Sequence, residues 1–114
     1  MAKIELEISD ELKTKEVEDF ADIAQDCIAL YSKKNADYGN SFDKGMDAIG
    51  IKYGIGRIYD KCNRLVEITK DNKEQQVKDE TLEDTVMDLA CYSIMMLANL
   101  KRQRTNKLKE VELN

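Results

Sequence analysis

The sequence contains no histidine, no proline and no tryptophan, and only three cysteines. Without histidine, neither a Ser-His-Asp nor a Cys-His arrangement can be written, and no imidazole can act as general base. Catalysis, if present, must draw on carboxylates, lysine, tyrosine or a hard metal ion with oxygen ligands. Mg²⁺ and Mn²⁺ accept such ligands. The three cysteines, Cys27, Cys62 and Cys91, form no CxxC pair, which rules out a Cys/His zinc centre. Their odd number argues against a disulfide framework. Each falls in the apolar pattern of a different helix and reads as a small buried hydrophobe in a reduced compartment. Without proline, nothing interrupts long helices. No apolar run approaches a membrane span, and the opening MAKIELEISDELK lacks the apolar core of a signal peptide. The expectation is a cytoplasmic protein with no membrane partner.

What is present fits a small all-helical domain. At 114 residues the chain is expected to be one domain, with an N-terminal arm over 1–13, a helical core over 14–102 and a tail over 103–114. Charged residues make up 36% against 42% hydrophobic, a balance that suits amphipathic helices with wet outer faces. The net charge of -5 weighs against duplex nucleic acid as a partner and leaves a nucleotide open, since local charge decides that. All five glycines lie between positions 39 and 56.

The Ile4, Leu6, Ile8 alternation is compatible with a short strand, on weak evidence. A first helix is expected from about Lys15 to Lys34, capped by Thr14 or Ser9, with Val17, Phe20, Ala24, Cys27 and Tyr31 inward. A polar, glycine-bearing segment then covers Asn35 to Asp47. The second helix is expected over about Ile51 to Thr69, with Ile51, Ile55, Ile58, Cys62, Leu65 and Val66 inward. A charged linker, 70–78, leads to a third helix from Asp79 or Thr81 to about Arg102. The tail either prolongs it or forms a short fourth helix.

Glu80, Asp84 and Asp88 recur every four residues on the third helix and share about 80° of arc. An acidic row of this kind often faces water. Here the same face continues through Cys91, Met95 and Ala98, flanked by Met87 and Ile94, which a solvent face would not do. The second half of this helix therefore reads as covered on nearly all sides, in a central position or at a homo-oligomeric seam. Three crowded carboxylates repel, and a divalent cation relieves that repulsion. Glu83, about 60° from Glu80, is placed to join them.

Arg57, Lys61 and Arg64 fall within about 60° on the second helix, a strip that suits the phosphates of a nucleotide; arginine adds bidentate contacts. A salt-bridge face against the acids of the third helix is the competing reading, compatible with the first. Asp60 beside them could orient the cations or lend a carboxylate. Lys34 continues the inward stripe of the first helix and either snorkels out or reaches a ligand. Asp37, Tyr38, Gly39, Asn40, Ser41 and Phe42 follow, offering backbone donors, rings and a hydroxyl that suit a nucleoside. No phosphate-loop fingerprint is present.

The segments KNADYGNSF (34–42), RIYDKCNRL (57–65) and DETLEDTVMDLACYSIM (79–95) resemble a phage and bacterial family, nucleotide modification associated domain 1. That family is similar to the MazG-like all-α nucleoside triphosphate pyrophosphohydrolases. The resemblance covers roughly positions 20–100, and its third segment is the most specific part. It implies a MazG-like helical bundle, usually oligomeric, that uses Mg²⁺ to cleave a nucleoside triphosphate to monophosphate and pyrophosphate. It also implies a bacterial cell or phage-infected host as the setting. The superfamily holds its metal with ExxE on one helix and ExxD on the next. Here the second helix carries no ExxE, and Glu80-x-x-Glu83 has that spacing on the third.

The resulting expectation is a Mg²⁺- or Mn²⁺-dependent (deoxy)nucleoside triphosphate pyrophosphohydrolase, a dimer or tetramer. Glu80, Asp84 and Asp88, with Asp60, would hold the metal. Glu83 would orient water, Lys61 would serve catalysis and phosphate binding, and Arg57 and Arg64 would bind phosphates. Lys34, Asp37, Tyr38 and Phe42 would meet the rest of the substrate. A non-catalytic nucleotide binder and a helical interaction module are the alternatives.

Overall fold

Beyond Gly56 the chain has neither glycine nor proline, the two residues that most weaken a helix interior. The computed structural model describes residues 7–38, 40–70 and 79–113, the side chains of 37, 38 and 79–81 excepted. The described residues form α1 (Lys15–Tyr38), α2 (Ser41–Ile49), α3 (Ile51–Ile68) and α4 (Asp79–Leu113), and no strand occurs among them. The expected all-helical class is observed. Thr14 caps α1, its hydroxyl accepting the Val17 N–H at 3.2 Å. Ile4 and Leu6, two of the three residues in the strand-like alternation, lie outside the described residues. No described helix is long and apolar enough to cross a membrane.

The chain divides into two units, Met1–Gly39 and Asn40–Asn114. The first carries α1, which runs on past Lys34 to Tyr38. Its expected inward stripe is covered only in part: Cys27 is buried, Val17 and Ala24 are half-buried, and Phe20 is 79% exposed.

In the second unit, α3 and α4 pack antiparallel in a single register. Gly54 lies against Met96, Arg57 against Tyr92, Lys61 against Asp88 and Arg64 against Thr85. The closest approach is at Gly54. A Cβ there would stand 3.1 Å from both the Met46 and Met96 sulfurs and 3.4 Å from the Phe42 ring. α2, α3 and α4 can meet at that point because one of them contributes no side chain.

The segment expected to be a polar connection is mostly helical. Its first residues complete α1, and the remainder starts α2. Two positive-φ residues make the turns, Asn40 (φ 61) before α2 and Gly50 (φ 95) after it. The Gly50 conformation is one that a residue with a Cβ rarely adopts. A nine-residue helix is marginal alone, and tertiary contacts hold this one. Phe42 and Met46, one turn apart, are buried. Asp43 accepts a hydrogen bond from Asn99 Nδ2 at 2.8 Å, and Arg102 Nη2 donates to both its oxygens at 2.8 Å.

Three further expectations are corrected. First, the covered side of α3 is rotated from the expected stripe, keeping only Ile58 and Leu65 of it. Tyr53, Gly54, Ile58, Lys61 and Leu65 are covered wholly or in part, while Ile51, Ile55, Cys62 and Val66 are exposed. Gly54 is the cause, since the closest approach must run through the residue without a side chain. Second, the latter half of α4 is not covered all round. Cys91 is buried and Met95 half-buried, but Ile94 and Leu97 are exposed, Leu97 by 68%. Third, no separate C-terminal helix forms. Good helix formers carry α4 unbroken to Leu113, with residues 101–113 all exposed.

These contacts predict opposite effects for two glycines of α3. Gly56 has nothing within 4 Å of an added Cβ, so Gly56→Ala should stabilise by about 0.5–1 kcal/mol. Gly54→Leu should destabilise by at least about 2 kcal/mol through overpacking. Asp43→Ala should cost about 1–3 kcal/mol by leaving buried Asn99 short of its acceptor. Urea unfolding of the three variants measures all three effects.

Candidate functional site

The register that brings Gly54 to α4 also turns the basic row of α3 toward that helix. Lys61 Nζ lies 3.3 Å from Asp88 Oδ2, each side chain about one-quarter exposed (26% and 27%). Arg64 Nε donates to the Thr85 hydroxyl at 3.3 Å, and Thr85 is buried. The Arg57 guanidinium sits 5.7 Å from the centre of the Tyr53 ring and 5.8 Å from that of Tyr92. Lys61 Nζ is 5.9 Å from the Tyr92 ring centre. These separations are within cation–π range. Each of the three cations thus has a partner on α4.

The rings are held in turn by α2. Phe42 packs against Tyr53 at 5.7 Å and Tyr92 at 6.0 Å between centroids. The Tyr53 ring lies directly over Gly45, where an added Cβ would run into it. α2 therefore backs both of the rings that lie near Arg57.

Helical periodicity gives the α3/α4 pair two unlike sides. At about 100° per residue, Arg57, Asp60 and Arg64 lie to one side of the contact line on α3. Asp84 and Asp88 lie to the corresponding side of antiparallel α4. The exposed residues Ile51, Ile55, Cys62 and Val66 lie to the other side, as do Val86 and Leu97 of α4. Charge and uncovered apolar surface are segregated across the pair.

Of the residues singled out from sequence, Arg57, Asp60, Lys61, Arg64, Asp84 and Asp88 come together on the charged side. Glu83 is exposed about half a turn away from the α3 contact line and does not share that side. Phe42 is only 7% exposed, so it acts as support for the two tyrosines and not as a surface group. Lys34 is exposed on α1, in the other unit. The side chains of Asp37, Tyr38 and Glu80 lie outside the described residues.

Among the described residues, no three carboxylates or thiols gather in a way that could hold an ion. Asp88 faces a lysine, and Asp84 is exposed. The described carboxylates do not by themselves fit a metal centre.

The model of the family nucleotide modification associated domain 1 matches residues 34–100, more than half of the chain. The chain belongs to this family. No curated protein and no solved structure matches it. The nucleotide modification associated domain spans the end of α1, all of α2 and α3, and α4 up to Leu100. Every residue singled out for the site falls within it. So do three residues that the sequence reading passed over, Tyr53, Tyr92 and Thr85. Tyr53 carried a usable signal, standing four residues before Arg57 on the same helix. Tyr92 and Thr85 carried none, because only the α3/α4 register makes them neighbours of the cations.

A double-mutant cycle with Lys61→Met and Asp88→Asn should give a coupling of about 0.5–1.5 kcal/mol for this partly buried pair. The coupling should shrink between low and high salt. Chemical denaturation at two ionic strengths is the measurement.

Proposed function

We propose that this nucleotide modification associated domain binds a nucleotide through its polyphosphate, on the charged side of the α3/α4 pair. The observation that carries this reading is the support given to the three cations. Arg57 lies within cation–π range of two rings, Lys61 is held by Asp88 and Tyr92, and Arg64 is held by Thr85. Cations on adjacent helical turns match a short chain of negative groups, and arginine forks suit phosphate oxygens. Such pre-ordering lowers the entropic cost of gripping an anion. The family's own description, nucleotide modification associated, agrees in kind.

Mg²⁺- or Mn²⁺-dependent pyrophosphohydrolysis of a (deoxy)nucleoside triphosphate is the second reading. In its favour, exposed Asp84 stands one turn from Asp88 on the same side of α4. Asp60, Glu80 and Glu83 are the remaining carboxylates of that reading. The uncovered apolar residues of α3 and α4 support a dimer or tetramer as the working form.

Calorimetry with a panel of nucleoside triphosphates, alongside a pyrophosphate-release assay with and without Mg²⁺, separates these readings. Binding should weaken about tenfold or more in Arg57→Ala and in Arg64→Ala, and should become weaker at high salt. Absence of nucleotide binding by the wild type would sink the proposal. Metal-dependent pyrophosphate release that is lost in Asp84→Asn would promote the hydrolytic reading. Sedimentation of the wild type as a monomer would remove the oligomer.

A further inference from the structure

Tyr92 has an unusual set of neighbours. Its ring is shared by two cations from adjacent turns of α3, Arg57 at 5.8 Å and Lys61 at 5.9 Å. Its ring also packs on buried Phe42, which fixes it from the α2 side. Tyr53 completes the arrangement from α3 itself, four residues before Arg57 and seated on Gly45. Arginine side chains on a helix surface ordinarily sample many rotamers, and ordering one costs free energy at the moment of binding. A cation drawn to the face of an aromatic ring is restrained without being neutralised, because the ring carries a quadrupole and no net charge. An ion pair would restrain the cation too, but its carboxylate would compete with an incoming anion.

We infer that Tyr92 is a positioning residue for the anion site, its ring holding Arg57 aimed at the ligand while leaving the guanidinium charge available; Lys61, on the same ring, is also paired with Asp88. The inference deepens the nucleotide-binding reading and rests on it. Tyr53 is the second wall of the Arg57 cradle, and α2 sets both walls through Phe42 and Gly45. The recognised chemistry is a run of linked phosphates, since two cations sharing one ring are held side by side. The tyrosine hydroxyl has no part in this, and only the ring face matters.

The test uses the full chain and inorganic tripolyphosphate as probe, without metal, in three variants. Tyr92→Phe keeps the ring face, Tyr92→Leu removes it, and Tyr53→Leu removes only the second wall. Calorimetry should show Tyr92→Phe within about twofold of wild type. Tyr92→Leu should bind about tenfold more weakly, and Tyr53→Leu should fall between them. The second readout needs no ligand. The Arg57 Nε–Hε resonance, assigned with Arg57→Lys, should be shifted upfield by the two rings in wild type and Tyr92→Phe. In Tyr92→Leu it should move toward the position of a free arginine. Tight tripolyphosphate binding retained in Tyr92→Leu, or lost equally in Tyr92→Phe, would overturn the inference and leave nucleotide binding standing. No tripolyphosphate binding by the wild type would instead overturn the binding reading, and this one with it. If Tyr92→Leu fails to fold, Tyr53→Leu decides by the same two readouts.

Discussion

The close approach at Gly54 is the constraint on which the second unit depends. Two methionine sulfurs and one phenylalanine ring converge on the space where a side chain would stand. Close packing allows few alternatives at such a point, since even one methylene must displace its neighbours. Once Gly54 lies against Met96, the antiparallel register of α3 and α4 is fixed along their length. Each turn away from that contact then brings a determined pair together: Arg57 and Tyr92, next Lys61 and Asp88, then Arg64 and Thr85. A register moved by one residue would rotate every partner by about 100° and dissolve all three.

That register has a consequence for the distribution of polarity. The most apolar stripe of α3 does not face α4; its basic flank does, and apolar residues are left uncovered on the far side of the pair. The arrangement holds because the cations meet partners that satisfy them, namely a carboxylate, a hydroxyl and two ring faces. The partly exposed setting keeps the cost of gathering charge low. On α2 the same logic applies, with Asp43 gripped by Asn99 and Arg102 while Phe42 and Met46 fill the space beneath. α2 joins the polar and the apolar parts of the unit, since its ring backs the tyrosines that border the cationic row.

Much of the helix content was legible. The absence of proline, the clustering of glycines before position 57 and three long amphipathic stretches located α1, α3 and α4, and Thr14 was a legible cap. The basic row was legible too, since Arg57, Lys61 and Arg64 share a side by periodicity alone. α2 was not legible, because glycines and polar residues in a nine-residue stretch read as a connection. Its stability comes from Phe42, Met46 and Asp43 meeting residues far along the chain. The inward side of α3 was misread for a related reason. Hydrophobicity favoured Ile51, Ile55 and Cys62, whereas packing favoured the residue with no side chain.

The class of structure, the position and period of the long helices, and the chemistry open to a chain without histidine all follow from residue order. Local rules suffice there, because helix propensity and the 3.6-residue repeat act within a few residues. Only the tertiary fold settles which sides of α3 and α4 meet, that α2 is a helix, and that Tyr92 borders Arg57. Those outcomes depend on steric fit between residues about 20 to 60 positions apart, and no local pattern encodes it.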